Sequence, residues 1–103
     1  MKALPSSLEF EWDAGNFNKS VLKHSVSQRE AEEIFLNRPL IVLEDYKHSA
    51  FERRFLALGK TDGGRLLFCS FTLRLEKVRV ISIRDMNRKE ALLYGKTKKN
   101  TTI

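Results

Sequence analysis

The sequence predicts an α+β fold of two layers, in which a mainly antiparallel sheet packs against helices. Apolar runs rich in β-branched residues, separated by short turn signals, fill much of the second half of the chain. Segments with apolar residues at helical spacing, each with capping residues at its start, come before and after these runs. Because strands joined by tight turns must be antiparallel, we expect a meander with one face covered by two N-terminal helices and one C-terminal helix.

The N-terminal segment is expected to form a strand and then a polar helix. Residues 8–12 alternate apolar and acidic side chains, which is the period of a half-buried strand with Trp12 facing the core. Asp13 stands where this alternation stops and can cap a helix that continues to about Lys23. Residues 1–7 are expected to form an irregular leader.

A second helix is predicted between Ser27 and Pro39. Ser27 and Glu30 have the spacing of a capping box, in which each side chain binds the backbone N–H of the other residue. Ile34 and Phe35 lie on one face of this helix, which predicts that this face packs against the core. Pro39 ends the helix, since the residue before a proline avoids helical backbone.

The sheet is expected to contain four more strands after this helix. A short apolar strand and the polar loop 44–52 come first, and a Lys-Thr-Asp-Gly-Gly segment over residues 60–64 is a hairpin signal. The strands are predicted over residues 40–43, 53–59, 65–73 and 77–83.

The last predicted helix covers residues 87–96. Asn87 can serve as its N-cap, with Glu90 three residues later completing a capping box. The side chains expected to be buried are Ala91, Leu92 and Tyr94.

Length and composition indicate one globular domain. A chain of 103 residues with 42% hydrophobic and 31% charged residues can bury one modest core. We place this domain at residues 8–96 and expect a basic, flexible tail over residues 97–103.

No apolar run approaches the roughly 20 residues that span a bilayer, and residues 1–7 lack the apolar core of a signal peptide, so we expect a cytoplasmic protein without membrane contact. Cys69 is the single cysteine, which excludes a disulfide within the chain.

The positive charge is concentrated in the second half of the chain. Residues 1–52 carry six Lys and Arg against nine Asp and Glu, whereas residues 53–103 carry thirteen against four. This asymmetry favours a polyanionic partner such as RNA, DNA or an acidic protein. The alternative is a solvated basic face that only aids solubility.

The stretch from Lys77 to Tyr94 combines a core strand with guanidinium groups where that strand ends. Arg79, Arg84 and Arg88 lie in or just after this strand. Arginine presents a rigid fork that matches phosphate oxygens, so the stretch is suited to phosphate recognition. The alternative is that these arginines only keep an edge strand soluble.

An ordered set of short motifs extends over most of the chain. The motifs are Glu11-Trp-Asp-Ala-Gly-Asn16, Lys23-His24 with Val26-Ser27, His48-Ser49, Glu52-Arg-Arg-Phe55, Gly59-Lys60, Gly64-Arg65, Ile81-Ser-Ile-Arg84, Met86, Arg88-Lys-Glu90 and Tyr94. In this order and spacing the chain resembles the BrnT family, ribonuclease toxins of bacterial toxin–antitoxin pairs with a RelE-like fold. Four positions depart from the family pattern: Ser25, where a glycine is usual; Ile83, where a small residue is usual; and Asp85 and Asn87, where bulkier or aromatic residues are usual.

The resemblance implies an RNA-cleaving toxin that a small protein partner neutralises. That partner would be a BrnA-like antitoxin carrying a ribbon-helix-helix segment. The complex would repress its own operon and would contact operator DNA only through the antitoxin.

RNA cleavage without a metal needs a base for the 2′-hydroxyl proton, cations for the phosphorane and an acid for the 5′-oxygen. The sequence has no HExxH motif, no acidic cluster at metal spacing and no glycine-rich phosphate loop, so we expect neither a metal nor another cofactor. Arginine and histidine are left to carry the reaction. The predicted catalytic residues are His24, Glu52, Arg53, Arg84 and Tyr94. The predicted RNA-binding residues are Lys19, Lys23, Arg65, Arg79 and Arg88.

Several of these assignments have alternatives. His24 can act as base or acid, or it can bind the carbonyls at the end of a helix. His48, in the polar loop, is the second titratable candidate. Glu52 can be a base or a partner in a surface ion pair, and Tyr94 can donate a proton, stack on a base or lie in the core. Arg84, near the end of the last strand, is the first candidate for phosphate stabilisation, followed by Arg53.

The sequence leaves two functions of different class open. The first is a ribonuclease toxin whose basic groove cleaves single-stranded RNA. The second is a binding module of the same fold that cleaves nothing and acts as co-repressor with a ribbon-helix-helix partner.

Overall fold

A four-stranded antiparallel sheet forms the centre of the fold. The computed structural model describes residues 7–16 and 24–100, with side chains through residue 97. The sheet has the order β1-β2-β3-β4, so each strand pairs with its neighbour in the chain, and the predicted α+β class with an antiparallel meander is confirmed. The elements are α1 (Gln28–Leu36), β1 (Ile41–Glu44), a 3₁₀ turn (Tyr46–His48), β2 (Arg54–Lys60), β3 (Leu66–Arg74), β4 (Lys77–Asp85) and α2 (Arg88–Asn100).

Helix α1 begins at the predicted capping box. The backbone N–H of Glu30 donates to Ser27 Oγ at 3.1 Å, and the backbone N–H of Ser27 donates to Glu30 Oε1 at 3.1 Å. Ile34 and Phe35 are buried, as their spacing predicted. The Phe35 ring meets the Phe71 ring of β3 edge to face, with 5.1 Å between the ring centroids.

The main core lies between α1 and one face of the sheet, which we call the inner face. Gly59 of β2 lies directly under α1: a Cβ atom at this position would be 2.9 Å from both Cβ and the backbone oxygen of Ile34. The absence of a side chain therefore sets how closely the helix approaches the sheet. Cys69 lies in this core, where burial raises the pKa of its thiol.

The N-terminal segment adds one bridge to the sheet where a strand was predicted. Phe10 forms a single parallel bridge with Val78 of β4, and Val78 exchanges backbone hydrogen bonds of 2.8 Å with Glu9 and Glu11. Pairing ends there because Asn16 turns the chain by donating from Nδ2 to the Glu11 carbonyl oxygen at 3.0 Å.

The polar helix predicted over residues 13–23 lies mostly outside the described residues. Residues 14–16 and His24 have helical backbone. Trp12 packs against the core as predicted, half-buried, and its Nε1 donates to Glu32 of α1 at 2.7 Å.

Helix α2 begins as predicted and runs further than predicted. Glu90 N–H donates to Asn87 Oδ1 at 2.8 Å, and Asn87 N–H donates to Glu90 Oε1 at 2.9 Å, which completes the second capping box. The helix continues to Asn100, four residues beyond its predicted end at residue 96; residues 101–103 lie outside the described part. No glycine or proline follows Gly95, and lysine is a good helix former, so nothing in this segment stops the helix.

Helix α2 packs on the face of the sheet opposite α1, which we call the outer face. Side chains alternate along a strand, so Leu58 and Gly59 point to opposite faces of the sheet. Leu58 is buried without being part of the core under α1, and α2 contacts its strand. Tyr94 is buried as predicted, and its hydroxyl donates to the Pro39 carbonyl oxygen at 2.5 Å. The prediction that all helices cover one face is therefore wrong, and so is the predicted burial of Leu92, which is 60% exposed.

A β-bulge interrupts the pairing of β3 with β4. Phe71 pairs with Val80, whereas Ser70 pairs with Ser82, so Ile81 is an extra residue in β4. An extra residue breaks the alternation of side chains between the two faces. Ile81 and Ser82 consequently both belong to the outer face, while Ile83 returns to the core.

Candidate active site

The outer face carries an open groove beside the area that α2 covers. The groove has a volume of about 450 Å³ and lies between the 3₁₀ turn and the middle of strands β2, β3 and β4. Its lining residues are Asp45, His48, Arg54, Leu56, Phe68, Ser70, Ile81 and Ser82. It therefore combines an apolar floor, two hydroxyl groups, an imidazole and a guanidinium group.

Backbone hydrogen bonds fix the turn that carries the imidazole. Asp45 N–H donates to the Arg54 carbonyl oxygen at 2.8 Å. Ser49 Oγ donates to the Asp45 carbonyl oxygen at 2.6 Å and accepts from Arg54 N–H at 3.1 Å. Asp45, His48 and Arg54 consequently keep a fixed relative position at the start of β2.

His48 is oriented by Asp45. Nδ1 of His48 lies 2.9 Å from Asp45 Oδ2, and the imidazole side chain is 62% exposed. Because a carboxylate can only accept, Nδ1 carries the proton of this bond, and Nε2 is left to accept a proton. The arrangement suits an accessible general base.

Two arginines lie at the groove, and they differ in whether a carboxylate of the protein binds them. Arg54 forms no ion pair within the described part of the chain. Arg84 lies beside the groove, with its guanidinium carbon 4.2 Å from the centroid of the Phe68 ring, and it donates to both carboxylate oxygens of Glu90 at 2.9 and 3.0 Å. These hydrogen bonds hold the pKa of Glu90 below its usual value. An incoming phosphate would meet Arg54 directly but would compete with Glu90 for Arg84.

The family model for the ribonuclease toxin BrnT of type II toxin–antitoxin systems matches residues 12–90. The chain belongs to the BrnT family. The match includes every lining residue of the groove, as well as Arg84 and Glu90. No curated protein matches the chain.

None of the five catalytic residues predicted for this BrnT chain lines the groove, although Arg84 lies beside it over the Phe68 ring. Glu52 accepts from Arg74 Nε at 2.8 Å, and Arg53 donates to Glu44 at 2.8 Å. The Arg74 hydrogen bond is the main cause that lowers the pKa of Glu52, and the charge of Arg54 contributes. These two residues are therefore engaged in ion pairs.

The other two predicted catalytic residues lie apart from the groove lining. Tyr94 is a buried residue of α2, and burial raises the pKa of its hydroxyl. His24 lies beside Asp85, whose pKa is lowered chiefly by a hydrogen bond from Arg65 and further by the charge of His24. The carbonyl oxygen of His24 accepts from Arg65 Nη2 at 3.2 Å.

Most of the predicted RNA-binding cations that the structure describes are already neutralised. Arg65 binds Asp85 at 2.7 Å and Glu30 at 3.3 Å, and these carboxylates raise its pKa. Arg79 binds Asp13 at 2.9 Å and Glu11 at 3.1 Å. Arg88 is exposed at the start of α2, and Lys19 and Lys23 lie outside the described residues.

Sequence reasoning missed Asp45, Arg54, Ser70 and Ser82 as site residues. One signal was present in β3, where the polar Ser70 interrupts an apolar run. Ser70 is two residues after Phe68, so the two side chains share a face of the strand. Arg54 stands next to the favoured Arg53, and the two point to opposite sides of the strand end, since side chains alternate. Ser82 points outward because of the bulge, and no pattern in a single sequence predicts that bulge.

Neither a metal cluster nor a membrane-spanning segment is found in the part of the chain that the structure describes. Among these residues no group of three His, Cys, Asp or Glu side chains is close enough to hold a metal ion. No helix in the same part is both long enough and apolar enough to cross a bilayer.

Proposed function

We propose that this BrnT protein is an endoribonuclease that cleaves RNA without a metal, through attack of a ribose 2′-hydroxyl on the adjacent phosphate. The observation that carries the proposal is the His48–Asp45 pair in the same groove as Arg54, an arginine with no ion-pair partner in the described residues. This combination provides a proton acceptor and, in the same groove, a cation that forms no ion pair with a carboxylate of the described residues. The family supports the ribonuclease activity, and the groove supports the mechanism.

In this mechanism His48 acts as the base. Nε2 takes the proton of the 2′-hydroxyl, the 2′-oxygen attacks phosphorus, and the bond from phosphorus to the 5′-oxygen breaks. A positioned base of this kind contributes about 10² to 10⁴ in rate. The leaving 5′-oxygen takes its proton from water, because the groove is open to solvent. The products are a 2′,3′-cyclic phosphate and a 5′-hydroxyl.

Arg54 and Arg84 stabilise the negative charge of the phosphorane. Arg54 is available at once, whereas Arg84 must exchange its bond to Glu90 for one to phosphate. The stacking of Arg84 on Phe68 keeps the guanidinium plane in position during that exchange. Hydrogen-bond donors aimed at developing charge typically contribute about 10² to 10³ in rate each.

The proposal extends to the biological context that the family implies. A type II system pairs the toxin with a protein antitoxin. We propose that a BrnA-like ribbon-helix-helix antitoxin binds this chain in the cytoplasm, stops cleavage and growth arrest, and carries the complex to operator DNA.

The test is cleavage of a labelled RNA by the purified protein in excess EDTA, with analysis of the product ends. We expect fragments that end in 2′,3′-cyclic phosphate. His48→Gln should abolish the fragments, with His24→Gln as the matched control on the other histidine. Fragments that end in 3′-hydroxyl, or cleavage that EDTA stops, would rule out the mechanism.

A second function is supported by the charge pairing. Arg53, Arg65 and Arg79 are each held by carboxylates, which reduces the cationic surface available to RNA. A binding module without catalysis, acting as co-repressor with its partner, would need no free cationic groove. Intact RNA in the same assay, together with operator binding by the complex, would establish this alternative.

A further inference from the structure

The floor of the groove has the chemistry of a site for a flat, partly polar ring. Leu56, Phe68 and Ile81 supply apolar surface from three adjacent strands. Ser70 and Ser82 are direct partners across β3 and β4, so their side chains stand next to each other. An apolar floor with a few fixed polar groups is the usual composition of a ligand site.

The two hydroxyl groups are available to a ligand. Both serine side chains are half-buried, and neither makes a hydrogen bond to another group in residues 7–16 and 24–97. A hydroxyl is both donor and acceptor, so this pair can match either kind of atom on the edge of a heterocycle. Most buried polar groups in proteins are hydrogen-bonded, so two neighbouring hydroxyl groups without such a partner in the described residues favour a role in binding a ligand.

The bulge in β4 is what creates this arrangement. In a regular strand Ile81 and Ser82 would point to opposite faces, and only one of them could line the groove. The extra residue turns both outward. Bulges next to active sites commonly re-aim a side chain in this way.

We propose that the groove floor is a subsite for one unpaired nucleobase of single-stranded RNA, in which Ser70 and Ser82 read the edge of the base and Phe68 and Ile81 contact its face. The proposal rests on the proposed ribonuclease function and adds the determinant of its sequence preference. Arg54 at the same groove would hold the adjacent phosphate. A base paired in a duplex is not accessible to such a floor, so single strands are the substrate class.

The test measures binding separately from cleavage. Short labelled homopolymers of A, C, G and U with 2′-O-methyl groups cannot undergo transesterification, so their dissociation constants report binding alone. We expect the parent protein to favour one base over the weakest by at least about tenfold. Ser70→Ala and Ser82→Ala should each reduce that preference by roughly fivefold, the effect of one ordinary hydrogen bond.

Three variants serve as controls for the two serines. Ser82→Thr keeps the hydroxyl and should keep the preference. Thr97→Ala removes a hydroxyl that bonds within α2 and should change nothing. Arg54→Ala should weaken all four homopolymers alike and lower the salt dependence of binding, whereas the serine variants should leave the salt dependence unchanged, because base contacts release no counterions.

Each result decides one of the two proposals. Selective binding that the serine variants abolish, without any cleavage of natural RNA, would support the subsite and overturn the ribonuclease. Cleavage by a parent that binds all four homopolymers equally, with serine variants that change nothing, would overturn the subsite alone. Serine variants that weaken antitoxin binding and leave base preference intact would assign the floor to the protein partner and also overturn the subsite. No binding of any homopolymer would overturn it as well.

Discussion

Nδ1 of His48 lies 2.9 Å from Oδ2 of Asp45, on the face of the sheet that α1 does not cover. The pair is held to the start of β2 by Ser49, which bonds both Asp45 and Arg54. An imidazole with a fixed tautomer therefore stands beside a cation with no ion-pair partner in the described residues.

His48→Gln should lower kcat for RNA cleavage by about 10² to 10⁴, because the base is lost while the shape of the groove is kept. Asp45→Asn should also lower kcat, because the carboxylate that orients the imidazole is lost. The measurement is the pH profile of cleavage for both variants. His24→Gln is the control, and a larger loss in that variant would assign the base to His24, as the sequence predicted.

Arg84→Ala should abolish growth arrest while the protein stays folded and able to bind its antitoxin. Glu90 keeps its capping bonds with Asn87 in this variant, so α2 retains its start. Arg84→Lys should not restore arrest, because lysine lacks the fork of donors. Arg29→Ala, at an exposed arginine of α1 that has no predicted role in the site, is the matched control. Growth curves and thermal unfolding check both points, and full toxicity of the Arg84→Ala variant would contradict the assignment.

Gly59→Ala should destabilise the protein by about 1–3 kcal/mol, the usual cost of overpacking. The added Cβ would lie 2.9 Å from Ile34, including its backbone oxygen, so α1 would have to move away from the sheet. Urea unfolding measures the effect. Gly95→Ala is the opposite control: a Cβ there meets no atom within 4 Å, and alanine should stabilise α2 by up to about 1 kcal/mol. Equal effects at both sites would refute the close approach.

Ser25→Gly should stabilise the protein by about 0.5–1 kcal/mol. Ser25 has a φ of 55°, a left-handed conformation that costs a side-chain-bearing residue more than glycine. The resemblance leads us to expect glycine at this position, and glycine adopts this conformation without the cost of a side chain. Ser25→Ala should give no gain, which separates the backbone effect from the loss of the hydroxyl. Chemical denaturation of both variants is the measurement, and a gain with alanine would point to another cause.

The free energy of unfolding should fall in acid as the carboxylates around Arg65 are protonated. Arg65 lowers the pKa of Asp85 from its ordinary 3.8, and Ser27 followed by Arg65 lowers that of Glu30 from 4.5. A carboxyl group with a lowered folded-state pKa stabilises the protein above its unfolded pKa and loses this contribution as the pH falls through its folded pKa. Stability should therefore be constant from about pH 7 to about pH 5 and decline below about pH 4.

The control for this pH dependence is Arg65→Met, which removes the cation and keeps the length of the side chain. The decline in acid should be shallower in this variant, because the pKa of Asp85 returns toward its ordinary value. An unchanged slope would mean that other carboxylates, such as the Arg79 partners Glu11 and Asp13, dominate the acid response. Urea titrations across the pH range provide the comparison.

The sequence predicted those elements whose signals are local. Both helix starts were correct because a capping box consists of residues three positions apart, and the hairpins followed from short turn segments. The end of α2 was wrong because the basic composition of residues 97–100 indicated a frayed tail, although lysine continues a helix without difficulty. The pairing of Arg65 with Asp85, twenty positions apart, could not be predicted from spacing.

The groove was beyond sequence reasoning for a different reason. It depends on which face α2 covers and on the bulge at Ile81, and both are set by packing between distant parts of the chain. Arg84 was expected near a strand end, which is a local feature, and it lies in β4 beside the groove; its role in cleavage stays a prediction. Ser82 was not, because ordinary alternation would have turned it into the core.

The order of the meander also determines when the groove can exist during synthesis. Strands β1, β2 and β3 can pair as hairpins as soon as residue 74 has emerged, because each pairs with its neighbour in the chain. The wall made by Ile81 and Ser82 belongs to β4, the last strand. A nascent or truncated chain that stops before residue 81 can therefore build most of the sheet but none of that wall, so the complete site exists only once nearly the whole domain has left the ribosome.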